Sequence, residues 1–244
     1  MDSLRFDKKR FRSQVVSDSC GIEAGEIIEG VIFGDVVVIR DPVKAAKVRA
    51  FGFYGNFLNE RSPEVAVECF HSSSNADIDG TISSAIEWNK RQSCDSSLYL
   101  SMEECMYLAF DLRILQVIEN NIRSSKLWMY FVNLYGQFFI QRYAVYRYLR
   151  HDGWVVRSGL LYGVDFLIYY QSPCNYHSSA GVRILSDVNS NLDNKFIALN
   201  RQLNNVKKSL IYMIVEIPRN VNLNKVECLE KIVVTHMTYH YRRL

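Results

Sequence analysis

The chain has 244 residues, of which 48% are apolar, so it can form one large domain or two small ones with a buried core. No apolar run approaches the roughly 20 residues that a membrane helix needs. The charged N-terminus is not followed by the apolar region of a secretory signal. These features predict a soluble, intracellular protein and argue against a membrane-spanning or secreted one.

The net charge of +3 is unevenly distributed. Residues 1–136 contain 15 basic and 19 acidic side chains, whereas residues 137–244 contain 14 basic and 7 acidic ones. An excess of basic side chains in the second half is compatible with a polyanion such as a nucleic acid, although it is more often only a solvated face.

The six cysteines lie at positions 20, 69, 94, 105, 174 and 228, and their spacing does not match a zinc site. In an intracellular chain we expect them to be reduced, with Cys105 and Cys228 packing as small apolar residues. The sequence therefore gives no indication of a metal or another cofactor.

The first half is predicted to be a flexible tail, residues 1–24, followed by a small mixed α/β lobe, residues 25–125. Its alternating apolar pattern near residues 25–40 favours strands. Asp41-Pro42 is typical of a helix start, and this helix is expected to end near Gly52. Residues 61–97, rich in Ser, Asn and Asp, are predicted to be a variable insertion with a short helix around residues 82–90.

Three further helices are predicted after the insertion. Ser101 and Glu104 form a capping-box pattern, and apolar side chains at helical spacing continue from Met106 to Ile118. A second helix begins near Lys126. The third covers residues 137–150, with aromatic side chains at helical spacing that favour a core position over a ligand site.

Residues 126–244 are predicted to form a C-terminal domain with a mixed β-sheet flanked by helices, which makes the fold class α/β (α+β). A helix is predicted at Lys195–Asn205. The uncharged run Leu210–Val215 is typical of a strand covered on both faces. The predicted strands are Trp154–Arg157, Val164–Tyr170, Gly181–Leu185, Ser209–Ile217 and Lys231–Tyr239.

Tyr169, His177 and Lys208 in this basic half could cleave RNA without a metal. Attack by the RNA 2′-hydroxyl on the adjacent phosphorus needs a general base, a general acid for the departing 5′-oxygen, and positive charge near the phosphorane. Histidine transfers protons near neutral pH, and a lysine beside a tyrosine favours the phenolate. Such a trio is a weak signal in itself, because Tyr169 could be a plain sheet aromatic and Lys208 a strand-edge charge.

From Tyr146 to Lys208 the sequence contains, in order, the pairs Leu149-Arg150, Gly153-Trp154 and Asp165-Phe166, followed by Tyr169 and His177. This order resembles the catalytic domain of tRNA-splicing endonucleases. Residues 98–115 resemble the helix that precedes that domain, and residues 52–55 fit the family's N-terminal lobe. The positions that carry the resemblance are Tyr146, Leu149, Arg150, Gly153, Trp154, Val155, Val156, Gly159, Tyr162, Gly163, Asp165, Phe166, Tyr169, Pro173, Tyr176, His177, Arg201, Val206, Lys208 and Leu210.

The resemblance implies a catalytic subunit that cuts pre-tRNA at an intron boundary and leaves 2′,3′-cyclic phosphate and 5′-hydroxyl ends. The spacing from Tyr169 to His177 is most similar to the subunit assigned to the 5′ splice site. Tyr169 then matches the general base, His177 the general acid and Lys208 the transition-state stabiliser. Asp165 is expected to be structural.

The resemblance also implies RNA contacts and partners. Arg201 matches a side chain that sandwiches a bulge base, and Arg242, or Tyr241 instead, falls at the position of its counterpart; a planar guanidinium can stack on a base. The implied partners are intron-containing pre-tRNA, a second catalytic subunit and two structural subunits, with docking through the C-terminal strands. The implied location is the nucleus, or the cytoplasmic face of mitochondria in some lineages.

Three alternatives remain. The chain could be a non-catalytic structural or RNA-binding subunit of the same complex, although such subunits lack the Tyr/His/Lys set. It could instead be the subunit that cuts the 3′ splice site. A metal-dependent nuclease is the least favoured, because the carboxylates of the basic half are not clustered in sequence.

Overall fold

The computed structural model describes residue 22 and residues 25–58, 96–118, 124–185 and 194–239. The chain divides into two compact units, residues 1–131 and 132–244, and each contains a five-stranded sheet. The predicted α/β (α+β) class is confirmed. Most of the predicted tail and insertion, including the short helix around residues 82–90, lies outside the described residues. No helix in the described parts is long and apolar enough to cross a membrane.

The sheet of the first unit has the strand order β3-β4-β2-β1-β5. Its pairs are antiparallel except β1 with β5, which are parallel. Buried aliphatic side chains such as Ile28 and Ile32 on alternate positions of β1 form part of its core. The strands are β1 (Ile28–Phe33), β2 (Val36–Ile39), β3 (Asn56–Phe57), β4 (Leu98–Leu100) and β5 (Leu115–Val117).

Helix α1 (Pro42–Gly52) begins where the sequence predicts. The Asp41 carboxylate accepts hydrogen bonds from the N–H groups of Val43 and Lys44, at 2.9 and 3.2 Å. These bonds satisfy two backbone donors that have no partner inside a first helical turn. The helix ends where Phe53 adopts a left-handed conformation, with φ 58°.

Helix α2 (Met102–Met106) has the predicted capping box, in which Ser101 and Glu104 each satisfy a backbone N–H of the other. The prediction that this helix continues to residue 118 is wrong. It becomes a π-helical turn at Tyr107–Asp111, the backbone reverses at Arg113 with φ 58°, and the chain then enters β5. Leu115 and Val117 are buried because they pair with β1, and this long-range pairing overrides the helical spacing.

Helix α3 (Ser124–Tyr135) contains the division between the units, and helix α4 (Gln137–His151) follows it in the second unit. The second sheet has the order β10-β9-β8-β7-β6, in which only β8 and β9 are parallel; helix α5 (Asn194–Asn205) connects them. All five predicted strands are confirmed within two residues at each end. They are β6 (Val155–Ser158), β7 (Phe166–Tyr169), β8 (Ala180–Leu185), β9 (Ser209–Glu216) and β10 (Val233–Tyr239).

The second sheet is covered by a helix on each face. On one face, the Tyr146 ring of α4 lies 5.8 Å from the Phe166 ring. On the other, Phe196 of α5 stacks on Tyr212 at 5.3 Å. Gly181 lets α5 pack closely on the sheet, because a Cβ there would lie 3.0 Å from a methyl carbon of Leu203, closer than most such contacts. This arrangement confirms that β9 is buried on both faces.

Asp165 holds the start of β7 in place. Its carboxylate accepts hydrogen bonds from Arg142, at 3.1 Å, and from the Ile184 N–H, at 2.8 Å, and it lies 3.4 Å from Arg183. The Arg142 guanidinium also lies 4.7 Å from the centre of the Phe166 ring. These contacts within one unit agree with the predicted structural role of Asp165.

Cys105 and Cys228 are free and buried, as predicted. Burial, reinforced by the negative charge of Glu227, raises the pKa of Cys228 to about 11. Burial also raises the pKa of Cys105, with a smaller contribution from Glu104. Both groups are therefore thiols at neutral pH and act as apolar packing groups.

Candidate active site

Tyr169 is the last residue of β7 and is almost completely buried, with 1% of its surface exposed. It pairs with Val155 on the neighbouring strand β6. Because side chains alternate along a strand, Tyr169 lies on the same face as Leu167, and Phe166 lies on the face that α4 covers. Tyr169 therefore belongs to the sheet face that packs against α5.

His177 lies in the loop that connects β7 to β8. The loop begins with a turn in which the Ser172 carbonyl accepts hydrogen bonds from the N–H groups of Asn175 and Tyr176, both at 3.1 Å. It rejoins the sheet where the Ser179 N–H donates to the Ile168 carbonyl, at 2.8 Å. His177 is exposed between these two anchors. A ten-residue loop that is anchored to the sheet at both ends thus presents the imidazole to solvent.

Lys208 lies immediately before β9. Helix α5 ends in a turn in which Lys207 has φ 56° and the Lys208 N–H donates to the Leu203 carbonyl at 2.9 Å. The Lys208 side chain is only 5% exposed. Its ammonium nitrogen lies 5.3 Å from the centre of the Tyr162 ring, a distance at which a cation is attracted to an aromatic face.

The sheet topology brings these three residues to one edge. Strand β7 is antiparallel to β8, which is parallel to β9, so the end of β7 lies beside the starts of β8 and β9. Tyr169 and Lys208 lie two strands apart, about 10 Å at the backbone from the usual strand spacing. His177 is carried on the loop between β7 and β8. In the described conformation His177 is exposed, whereas Tyr169 and Lys208 are buried.

The described residues contain no group of three or more His, Cys, Asp or Glu side chains that could hold a metal ion. The chemistry that they offer at this edge is instead that of a phenol, an imidazole and an ammonium group. Such groups can move protons and stabilise negative charge.

Arg201 lies on α5, the helix that precedes Lys208 in the chain, and its side chain is exposed. Arg242 and Tyr241 lie outside the described residues. Sequence reasoning gave Tyr162 no role of its own, although it belongs to the pattern of residues that carries the resemblance. No sequence signal identifies its contact with Lys208, because the two residues are far apart in the chain.

Residues 139–223 match the family described as the catalytic C-terminal domain of tRNA intron endonuclease. Among curated proteins, the chain is 32% identical to the tRNA-splicing endonuclease subunit Sen2 of Rattus norvegicus over 151 residues, which are 56% of this chain and 32% of that protein. It is 31% identical to the probable Sen2 subunit of Oryza sativa, covering 57% of this chain and 51% of that protein.

A tRNA-splicing endonuclease of Sulfolobus acidocaldarius is 29% identical over 190 residues, which are 78% of this chain and 91% of that protein. The chain thus spans about a third of the length of the rat Sen2 protein and about half of the length of the rice one. It spans nearly the whole length of the archaeal protein. The family match covers α4 almost completely and continues through β9, so it includes the whole edge with Tyr169, His177 and Lys208.

Proposed function

Since residues 139–223 match the catalytic-domain family of the tRNA intron endonucleases, we propose that this chain is a catalytic subunit of a tRNA-splicing endonuclease. It cuts intron-containing pre-tRNA at an intron boundary, the 5′ splice site. The observation that supports this proposal most is the position of Tyr169, His177 and Lys208 at one edge of the sheet inside the matched domain.

The proposed reaction needs only groups of the RNA and of this chain. Tyr169, as phenolate, takes the proton of the 2′-hydroxyl, and the 2′-oxygen forms a bond to the adjacent phosphorus. The bond from phosphorus to the 5′-oxygen breaks, and His177, as imidazolium, gives its proton to that oxygen. Lys208 stabilises the negative charge of the phosphorane. The products are a 2′,3′-cyclic phosphate and a 5′-hydroxyl, and DNA is not cut because it lacks the nucleophile.

The burial of Tyr169 places a condition on this mechanism. With 1% of its surface exposed, its hydroxyl is not open to a substrate in the described conformation. Residues 171–178 follow Tyr169 closely in the chain, and residues 174–177 among them, including His177, are exposed. We propose that RNA binding displaces this segment so that the 2′-hydroxyl reaches Tyr169, as in other enzymes whose loops rearrange around substrate.

The RNA contacts and partners of the proposal come from the resemblance. Arg201 and Arg242 sandwich a base of the bulge through their planar guanidinium groups. The exposure of Arg201 on α5 is compatible with this role. The chain acts in the nucleus within a complex that contains a second catalytic subunit and two structural subunits. The names of the Sen2 relatives, which call those proteins subunits, support the presence of a complex.

The proposal is tested by cleavage of an intron-containing pre-tRNA in EDTA. The complex is purified by an affinity tag on this chain. His177→Ala is compared with His151→Ala, which changes an exposed histidine at the end of α4. We expect wild type and His151→Ala to make both cuts and to leave cyclic phosphate ends. His177→Ala should lose the 5′ cut by roughly 100-fold or more, the usual contribution of a general acid.

The other outcomes identify the alternatives. Loss of the 3′ cut instead of the 5′ cut in His177→Ala would assign the chain to the other splice site. Survival of both cuts would make it a structural subunit. If EDTA abolished cleavage by the wild type, the metal-free mechanism would be wrong.

A further inference from the structure

The turn between β6 and β7 presents its three apolar side chains very differently. Residues Leu160–Tyr162 form a single 3-10 turn, in which Leu160 and Leu161 are 81% and 77% exposed. Tyr162, in contrast, is half-buried. The turn therefore leaves two leucines in solvent and directs its tyrosine towards the protein, where its ring meets the ammonium group of Lys208 at 5.3 Å.

The backbone fixes this turn closely. The Gly159 carbonyl accepts hydrogen bonds from the N–H groups of Tyr162 and Val164, at 3.0 and 3.2 Å. Gly163 closes the turn with φ 69°, a left-handed conformation that glycine adopts without strain. The Gly159 N–H is bonded in turn to the Asp165 carbonyl at 3.3 Å. The position of the Tyr162 ring is thus set by the same backbone that begins β7.

The Tyr162 ring is a suitable contact for the buried ammonium group of Lys208. Lys208 is only 5% exposed, and its four-carbon side chain has several rotatable bonds. The negative face of an aromatic ring attracts a cation most strongly when water is excluded. A ring fixed at this place therefore restricts the space that the ammonium group can occupy.

We propose that Tyr162 is a positioning residue for Lys208: its ring face holds the lysine ammonium group where it stabilises the cleavage transition state. This inference rests on the proposed function of Lys208 and assigns Tyr162 no contact with RNA. It is the face of the ring, and not the phenol hydroxyl, that matters. The inference therefore predicts different consequences for two substitutions of the same residue.

Single-turnover cleavage of pre-tRNA tests this in the complete complex. Tyr162→Phe retains the ring face, so its cleavage rate should stay within about twofold of wild type. Tyr162→Leu removes the ring and should lower the rate at saturating RNA by roughly tenfold or more, while RNA affinity is unchanged. Leu161→Ala, an exposed residue of the same turn, is the matched control and should behave as wild type.

A double-mutant comparison separates positioning from simple loss of folding. In a Lys208→Ala background there is no ammonium group to position, so Tyr162→Leu should change the remaining rate by less than about twofold. An undiminished loss in that background, or an equal loss in Tyr162→Phe, would overturn the inference. Failure of the wild-type complex to cleave would instead overturn the proposed function itself.

A second readout does not depend on activity. Acetylation of lysines in the folded wild-type chain, resolved by mass spectrometry, gives the reactivity of Lys208 relative to its exposed neighbour Lys207. We expect this ratio to rise several-fold, roughly fivefold, in Tyr162→Leu and to stay unchanged in Tyr162→Phe. An unchanged ratio in Tyr162→Leu would show that the ring does not restrain the ammonium group and would contradict the inference.

Discussion

The two ends of strand β7 carry polar residues that differ in what surrounds them. At the start, the Asp165 carboxylate is held by Arg142, Arg183 and a backbone N–H of β8. At the other end, Tyr169 leads into the loop that carries an exposed histidine. One short strand thus connects an ion-paired anchor to the candidate active site.

Burial alone does not distinguish the residues at the two ends of the strand. Both Lys208 and Asp165 are largely removed from solvent, since Lys208 is buried and Asp165 is half-buried. The difference lies in the partners. The Asp165 carboxylate lies against two arginines, whereas the Lys208 ammonium group lies 5.3 Å from the centre of the uncharged Tyr162 ring.

The largest expected effect concerns the active-site end. Tyr169→Phe removes only the hydroxyl, and we expect it to lower the rate of pre-tRNA cleavage by roughly 100-fold to 10,000-fold, because a general base is lost. Tyr170→Phe, the same change one residue further on, should keep the rate within about twofold. Single-turnover kinetics measure both. The reverse order of effects would mean that Tyr169 is a plain sheet aromatic.

The opposite end should respond in stability and not in chemistry. Asp165→Ala leaves Arg142 and Arg183 without their shared carboxylate, and we expect a loss of roughly 3 kcal/mol in the unfolding free energy of the second unit. Denaturant-dependent hydrogen exchange in β7 and β8 measures it. Glu216→Ala, an exposed change in β9, should stay within about 0.5 kcal/mol. A cleavage rate that falls in folded Asp165→Ala would contradict the division of roles between the two ends.

The smallest effect is expected on RNA affinity, outside both ends of β7. Arg201→Ala should weaken pre-tRNA binding by about tenfold if its guanidinium stacks on a base, and Arg201→Lys should recover only part of that loss. The exposed Arg219 provides the control. Arg219→Ala should reduce RNA affinity by no more than the loss of one ordinary phosphate contact would. Filter binding at fixed salt measures these affinities. Full recovery by lysine would show that Arg201 contributes charge alone.

Much of the C-terminal unit could be predicted because its signals are local. Glycines near the strand ends and the uncharged run of β9 are local signals. The strand bounds predicted from such signals lie within two residues of the observed ones. The capping box of Ser101 and Glu104 is equally local. The order of residues around Tyr169 and His177 carried the family resemblance, but it said nothing about how accessible these side chains are.

The features that were missed depend on distant partners. The segment Leu115–Val117 continues a helical pattern in the sequence, yet it becomes a strand because β1 offers it a parallel partner more than eighty residues earlier. The contact of Tyr162 with Lys208 arises in the same way, from a turn and a strand start that meet only in the folded sheet. Propensity and spacing within one segment contain no information about such pairs.

The pairing of β3 with β4 has a consequence for how this chain can vary among related proteins. Phe57 and Leu98 are direct cross-strand partners, so the two ends of the long intervening segment are fixed beside each other. Closing a flexible loop costs only about 0.6 kcal/mol more for each doubling of its length. Flexible chain inserted between these partners would therefore cost little entropy, because the pairing of Phe57 with Leu98 already holds the two ends together.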